Sequence, residues 1–586
     1  MENTSIAIIG AGPAGLVALK NLREQGFDAL IFERRPSVGG LWSYSENPEY
    51  TTALDDTTVN VSKFVSSFSD FPMPDHYPDF PSRRQIQVYF EAYINHFDLQ
   101  RYIRFRVTVH KVLRNSSNSA WDVYSAGPNE ESVLPFHKVV FANGCETIPV
   151  WPSIQRREEF KGTVMHAQEY RDYKKHGLQG KRVMVVGIGN TGCEIALSLC
   201  KHASKTYLAY RRGRILVSRY DDKGVPMDSQ IPWPMLCLTY ILSYYIPGIM
   251  KWLVDKFMTN KMIHDAAKHG PNLENTSKKQ RLRVAEHRVR EDWRLVPCPS
   301  MAHRNPAVQE DIFPAFYNDD IIPVQGFVDF AGAKTVLLAD HTTVEVDMVI
   351  FATGYRHGFS LMPELEMDGA AGVELKTASK IEQHEVSEDK TQQPALPRLY
   401  QMIFPPKHAS SVAFISWMAP QANVWCVCEL ASMAIAQAWV ADCTRGREPQ
   451  NLQPPSLLPS EKVMENEVDS YHTWWRKEWA TDHSILHGYV RAYGFYRFLH
   501  KTAGTGLDAY LDKYAILNGL RLYKDDSDLW KWLCRGPTTS LSWRLFDTNP
   551  EGIPGHGRKV WEGSRDALQK NYEEFERFQK AKAKND

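Results

Sequence analysis

The sequence predicts an α/β fold with two Rossmann-like dinucleotide-binding domains, the second inserted into the first. Three observations carry this. A glycine-rich fingerprint, Gly10-Ala11-Gly12-Pro13-Ala14-Gly15, lies near the N-terminus, and a second of the same kind, Gly187-Ile188-Gly189-Asn190-Thr191-Gly192, lies well downstream. Two apolar stretches then end alike, in Phe141-Ala142-Asn143-Gly144 and Phe351-Ala352-Thr353-Gly354.

A GxGxxG pattern also matches ordinary glycine-rich turns, so its context decides. Ser5 to Ile9 reads as a buried strand, Pro13 to Gln25 as a helix, and Asp28 to Phe32 as a second strand ending at Glu33. This is the unit in which glycines admit a pyrophosphate to a helix N-terminus. Glu33 stands 18 residues beyond Gly15, where a carboxylate accepts from free ribose hydroxyls. The second unit repeats the pattern with Arg182 to Val186, Thr191 to Cys200 and Thr206 to Tyr210, but Arg211, Arg212 and Arg214 follow where the acid stood. Guanidinium groups there suit a 2'-phosphate; the alternative is a solvated surface turn. The first site is therefore assigned to FAD and the second to NADPH, and two such sites in one chain point to electron transfer between dinucleotides.

The expected organisation is a first FAD-binding part over 1–154, an NADPH-binding domain over 155–333, and a return to the FAD domain with a covering region over 334–586. The strands Lys138 to Phe141 and Val346 to Ile350 look like linker strands where the chain crosses between the domains. A chain of 586 residues is too long for one core. Lys plus Arg and Asp plus Glu number 69 each, so no nucleic acid partner is implied. The nine scattered cysteines include no CxxC pair; the closest are Cys426 and Cys428. That fits a reducing compartment and argues against a zinc site, a disulfide framework, or a disulfide reductase with a redox cysteine pair.

A strand begins within a few residues of Met1 without the layout of a signal peptide, and the stretch from Lys570 to Asp586 is too charged for a membrane anchor. The expected location is cytoplasmic. Between Asp228 and Lys251, 22 residues carry no charge, interrupted by Pro234 and Pro247. Three readings stay open: a lipid-docking or substrate-entry surface through 231–254 that makes a peripheral membrane contact, a buried hairpin, or a spanning helix. Lys278 to Arg294 reads as a solvated helix that would also favour an anionic surface. The sequence is compatible with a homodimer.

Between the two units Phe160-Lys161-Gly162-Thr163-Val164-Met165-His166-Ala167-Gln168-Glu169-Tyr170 forms an FxGxxxHxxxY pattern. It resembles the identifying motif of flavin-containing monooxygenases, the class B flavoprotein monooxygenases. Gly39 to Trp42, Val59 to Lys63, Phe68 to Pro72, His96 to Leu99, Tyr102 to Phe105, Ser218-Arg219, Gly224 to Asp228 and Gly536 to Thr539 extend the likeness over nearly the whole chain. The resemblance implies that NADPH reduces FAD, that O2 then gives a C4a-hydroperoxyflavin, and that a soft nucleophilic nitrogen or sulfur of a small lipophilic substrate takes the distal oxygen. Baeyer-Villiger oxygenation of a ketone and NADPH oxidase activity releasing hydrogen peroxide are the alternatives, and a flavin-binding scaffold without turnover is the non-enzymatic one.

Carried over residue by residue, the likeness places Gly10, Ala11, Gly12, Pro13, Ala14 and Gly15 at the FAD pyrophosphate and Glu33 at its ribose. Gly40, Leu41 and Trp42 would run along the flavin, and Val109 would offer backbone groups to the adenine. Asn60 takes the catalytic position, an amide near flavin N5 and the nicotinamide, able to donate and accept without changing protonation; its alternative is a turn-forming asparagine. Gly187, Gly189, Asn190, Thr191 and Gly192 would cradle the NADPH pyrophosphate, with Arg211 and Arg212 at the 2'-phosphate. Gln421 and Asn423 precede the last flavin-contacting helix, where Trp425 departs from the family's small-residue pattern and a plain helix start is the alternative. His166 is expected to fix the linker by hydrogen bonding rather than to catalyse.

Overall fold

The computed structural model describes residues 4–270, 276–371, 373–384, 393–445, 453–512 and 514–583. Its frame is two five-stranded parallel sheets built to one plan. In the first, the strands run in the order Val412–Phe414, Lys138–Phe141, Ser5–Ile9, Asp28–Glu33, Ile103–Phe105. In the second the order is Ile322–Gln325, Lys205–Tyr210, Arg182–Val186, Met348–Phe351, Thr163–His166. Ile6, Ala7, Ile8, Val183, Met184 and Val185 have no exposed surface. Sheets covered on both faces need such unbroken apolar runs rather than alternation.

Helix α1 (Pro13–Glu24) follows the first central strand with proline in its opening turn, where the missing N–H costs nothing. Helix α2 (Arg83–His96) is fixed by a capping box between Ser82 and Gln85 and buries Ile86, Tyr89, Phe90 and Tyr93. Helix α3 (Asn190–Leu199) repeats the role of α1 in the second unit.

All strands of the second sheet lie, along the chain, between Lys138–Phe141 and Val412–Phe414 of the first. The two crossing segments run side by side, Ile148–Pro149 pairing antiparallel with Tyr355–Arg356. The return comes later than the expected residue 334. Phe327–Gly332, Thr335–Leu338 and Thr343–Glu345 form one antiparallel sheet, and Phe330, Val336 and Leu338 pack with Val349 and Phe351 in one core. Cutting at 333 would split that sheet and strip the second unit of Met348–Phe351.

The uncharged stretch folds as helix α4 (Trp233–Tyr245), followed directly by helix α5 (Pro247–Ala267). Pro234 sits in the first turn of α4, where its ring is tolerated, whereas Pro247 opens α5 just beyond the end of α4 and so divides the stretch into two helices, as expected. Trp233, Cys237 and Tyr240 face inward while Met235, Leu238, Tyr245, Ile249, Trp252 and Phe257 face out, so neither a fully buried hairpin nor a single spanning helix describes it. The charged stretch downstream forms helix α6 (Lys278–His287), continued by a π-turn over Arg288–Asp292, with only Ala285 and Val289 buried.

After helix α7 (Ile312–Tyr317) and helix α8 (Ala378–His384) comes helix α9 (Val424–Thr444). Among the described helices it alone has the length and apolarity to cross a membrane, and it is almost wholly buried, packed between α1 and the helix Ala492–Ala503. Helices α10 (Glu461–Thr481), α11 (Ala492–Ala503), α12 (Ala515–Asp525), α13 (Ser527–Arg535) and α14 (Ser564–Ala583) complete the fold.

A buried ionic cluster locks this last part onto α1. Arg544 donates to Ser69 Oγ (2.8 Å), Asn21 Oδ1 (3.0 Å) and Glu24 Oε1 (3.0 Å) and lies 3.2 Å from Asp70 Oδ2. Arg558 and Lys20 also reach Glu24, at 2.7 and 2.9 Å. Lys20 pairs with Asp70, and Glu429 accepts from the Ser69 N–H at 2.9 Å.

Candidate active site

The two fingerprints have the same construction, and each glycine has its own reason. Gly10 and Gly187 stand at φ +105° and +120°, beyond the comfortable range of L side chains; a Cβ there would lie 2.7 Å from Ala142 O and 2.4 Å from Ala352 O. Those carbonyls belong to the matching Phe-Ala-x-Gly turns. At Gly15 and Gly192 a Cβ would collide with the carbonyl of Gly10 or Gly187, at 1.9 and 2.0 Å. The middle glycines differ. Nothing lies within 4 Å of a Cβ on Gly189, and only Gly40 Cα, at 3.8 Å, near one on Gly12. The first and third glycines thus serve the turn and the packing, and the second leaves open backbone at a helix N-terminus, as a pyrophosphate requires.

Glu33 is buried at the end of its strand, accepting from Ala11 N (2.6 Å) and Arg35 N (2.7 Å), one bond per carboxylate oxygen. Each oxygen keeps a lone pair for a ribose hydroxyl. Arg35 anchors the next loop by donating to Gly40 O (2.8 Å) and Ser43 O (2.9 Å), which places the short helix Gly40–Trp42 opposite Gly12.

One cavity of about 1230 Å³ joins the units. Gly10, Gly12, Pro13, Ala14, Glu33, Gly40, Leu41, Trp42, Asn60, Val109 and Gln421 line it from the first part, and Asn190 and Thr191 from the second. Ala11, Gly15, Gly187, Gly189, Gly192, Arg211 and Arg212 do not line it. The volume exceeds that of an ordinary small-molecule pocket, roughly 300–1000 Å³.

The arginines after the second fingerprint divide. Arg211 is exposed and its guanidinium takes no hydrogen bond or ion pair among the described residues; Arg212 is paired with Asp482 at 2.9 Å. Arg214 turns inward to Asn305 O, and burial, with Arg304 beside it, lowers its pKa to about 10.

Asn60 lies on a loop of the first unit held by residues of the second. Glu194 of α3 accepts from Thr57 Oγ1 (3.2 Å), Arg219 donates to the loop backbone, and Asp228 accepts from Ser62 N at 2.6 Å. Burial pushes the Glu194 carboxyl up to about 7. Sequence reasoning assigned none of these three a role. Arg219 and Asp228 stood in stretches noted only for likeness, and Glu194 reads in sequence as an ordinary polar helix residue.

His166 is buried between Trp151 and Tyr355, accepts from Gln168 N (3.1 Å) through Nδ1, and is kept neutral by burial, its pKa near 4. Next to it Arg171 donates to the carbonyls of Ser45 (2.6 Å), Asn47 (2.7 Å) and Tyr50 (3.2 Å), tying the inter-unit motif to the first unit. Asn423 caps α9 by accepting from Trp425 N (3.1 Å), and its amide donates to Ser66 Oγ. Trp425 packs edge-on against Trp42, 5.6 Å between centroids, so it fills the place a smaller residue would leave. Gln421 donates to Met301 O across to the second unit.

At its far end the cavity becomes aromatic. Trp233 and Tyr240 of α4, Tyr496 and His500 of α11, and Trp543 line it. Tyr240 and Tyr496 stack with centroids 4.9 Å apart; Trp233 meets His500 edge-on, and burial pushes that imidazole down to about 3, so it is neutral. Leu236, Val254, Phe257 and Met258 extend the lining to the α4–α5 pair.

Two parallel sheets, each followed by a glycine-fingerprint helix that opens toward one shared cavity, define a Rossmann-like α/β fold. Residues 3–289 match the family described as Flavin-binding monooxygenase-like. Over 570 residues the chain is 31% identical to Monooxygenase aurF of Gibberella zeae, covering 97% of each. Over 579 residues it is 28% identical to Flavin-containing monooxygenase 2 of Homo sapiens, covering 96% of this chain and 90% of that one. The fold is shared with S-allyl-L-cysteine S-oxygenase of Allium sativum (TM-score 0.55, 18% identity, 90% and 94% covered). It is shared equally with cyclohexanone monooxygenase of Rhodococcus sp. Phi1 bound to NADP+ (TM-score 0.55, 18% identity, 86% and 98% covered). The chain belongs to the flavin-binding monooxygenase-like family and is a flavin-dependent monooxygenase.

Proposed function

We propose that the chain holds FAD on the first fingerprint and NADPH on the second, and uses O2 to oxygenate a soft nitrogen or sulfur atom of a small lipophilic substrate. The observation that carries this reading is the placement of Asn60 in the cavity shared by both fingerprints. When bound, the cofactors supply electron transfer and oxygen activation, chemistry that side chains lack. The residues bind, orient and exclude water. Glu33 accepts from the flavin's ribose, the open backbone at Gly12 and Gly189 takes the two pyrophosphates, and Arg211 takes the 2'-phosphate. Asn60 Nδ2 offers a neutral donor to a developing negative charge, and the aromatic end seats an apolar substrate while keeping water out.

A nitrogen or sulfur substrate is favoured over a ketone by how Arg219 is spent. Baeyer-Villiger chemistry calls for a cation that stabilises an anionic oxidant, and Arg219, the cation beside Asn60, already donates to Glu310, Thr58 O, Val59 O and Asn60 Oδ1. The test supplies the purified yellow protein with NADPH, O2 and N,N-dimethylaniline or a thioether. N-oxide or sulfoxide in step with NADPH consumption is the expected result. An ester from cyclohexanone in place of these products would transfer the reading to ketones, and peroxide alone would make it an NADPH oxidase.

Arg211→Ala is expected to raise the KM for NADPH by about tenfold, the loss of one charge-assisted contact of roughly 1.4 kcal/mol, with NADH turnover unchanged. Arg212→Ala costs less, because Asp482 already competes for that guanidinium. Steady-state kinetics with both coenzymes check the order; equal effects on NADPH and NADH would remove the phosphate assignment.

A peripheral membrane contact through 231–254 is supported by the outer face of α4 and α5, where Ile249 and Trp252 are 57% and 59% exposed. Helix α12 shows the same character, with Ile516 80% exposed and no buried residue. Isolated apolar side chains on a surface are ordinary; a row along two consecutive helices marks an interaction site. The protein is expected to float with phosphatidylcholine–phosphatidylserine vesicles, and Ile249→Asp with Trp252→Asp to abolish this. Dimers forming without vesicles and lost in the same variant would instead give the face to a second copy of the chain.

A further inference from the structure

We infer that Arg219 is the positioning residue that turns Asn60 into a donor facing the cavity, so that the second unit sets the orientation of a catalytic group carried by the first. The inference rests on the reading of Asn60 above. Arg219 Nη2 donates to Asn60 Oδ1 at 2.9 Å and to Thr58 O at 3.0 Å, and Nε donates to Val59 O at 2.9 Å. Three consecutive loop residues are thus gripped by one planar fork. The fork is itself held: Glu310 takes Nη1 at 2.5 Å through one oxygen and the Arg219 backbone N–H at 2.6 Å through the other. The side chain is only 8% exposed.

A guanidinium has donors and no acceptor, so it can face only the oxygen of the amide. That settles which way the amide points. One lone pair of Oδ1 is committed to Arg219, and Nδ2 is left toward the cavity that Asn60 lines, with no acceptor among the described residues. The amide therefore presents its donor to the cavity and keeps the remaining lone pair of Oδ1. Lysine could balance Glu310, but a single ammonium on a flexible stem could not grip Thr58, Val59 and Asn60 together.

A double-mutant cycle of Arg219→Gln with Asn60→Ala tests this, with Arg219→Lys alongside. Product formed from N,N-dimethylaniline per NADPH consumed should fall about tenfold in Arg219→Gln, and the double variant should be no worse than Asn60→Ala. Arg219→Lys should recover less than half of the loss. The same cycle read as thermal midpoints needs no turnover, and there too the shift of the double variant should fall short of the sum. Multiplying losses with additive midpoints, or wild-type coupling in Arg219→Gln, would overturn the inference. Non-additive midpoints in a protein whose wild type never consumes NADPH would keep the Arg219–Asn60 contact and sink the functional reading instead. Should Arg219→Gln not fold, Arg219→Lys and Glu310→Gln carry the cycle, with the same requirement of non-additivity with Asn60→Ala.

Discussion

Asn60→Ala lowers product formation from N,N-dimethylaniline by about 10² to 10³, the usual cost of removing one preorganised donor from a water-poor site, while NADPH is still consumed and hydrogen peroxide is released. The split between the two readouts is the informative part. On the proposed reading Glu33, the fingerprint glycines and Arg211 would still hold both dinucleotides, so electron transfer would persist and only the fate of the oxygen would change. Alanine also releases Arg219 from one bond, so loop disorder could imitate the loss. Asn60→Asp separates the two effects: it keeps an oxygen for Arg219 Nη2, at 2.9 Å in the native protein, but presents a second oxygen to the cavity in place of the N–H donors. Asn60→Asp is expected to be as inactive in oxygenation as Asn60→Ala yet thermally nearer the native protein. Retention of more than about a third of native product in Asn60→Asp, measured beside peroxide release, would show that donation from Nδ2 is not what the residue contributes.

The parts of the fold that were legible in the sequence are those set by local rules. Both central strands, both fingerprint helices and the strand ending at Glu33 lie within a residue of their expected limits, because unbroken apolar runs and glycine punctuation are short-range signals. What was misread depended on partners distant in sequence. Met348–Phe351 reads as a crossing strand when taken alone; its place in the second sheet is fixed by Arg182–Val186 on one side and Thr163–His166 on the other. Pro234 reads as an interruption but opens α4, because a proline's effect depends on whether it falls in a first turn; Pro247 does separate α4 from α5. The same holds for the site. Asn60 stood in a recognisable stretch, but the groups that hold its loop, Glu194, Arg219 and Asp228, come from 134 to 168 residues further along the chain, and no local pattern ties them to it.

The largest loss of stability is expected from Arg544→Met. Its guanidinium is 4% exposed and faces Asp70 and Glu24, with Glu429 behind Ser69. Methionine fills much of the volume but leaves these carboxylates with Lys20 and Arg558 alone. Removing one partner of a buried ion pair costs about 3–5 kcal/mol, far more than the pair is worth against an apolar replacement of both. In a chain of 586 residues melting as one unit the thermal midpoint should fall by about 2–4 °C. The pH dependence carries a sign. Burial, and then the charge of Asp70, raise the Glu429 carboxyl, so the folded protein binds protons more tightly there than the unfolded chain, and stability falls as pH rises toward and through neutrality. Against burial, Arg558, Arg544 and Lys20 hold Glu24 well below its ordinary value. Without Arg544 both carboxyls shift upward, so the deficit of Arg544→Met should be smaller at pH 6 than at pH 8. Adding Asp70→Asn should return part of the loss by removing the charge left without its partner. A deficit that is flat between pH 6 and 8 and unrelieved by Asp70→Asn, measured by thermal melts with flavin fluorescence, would mean that Arg544 stabilises by packing rather than by charge.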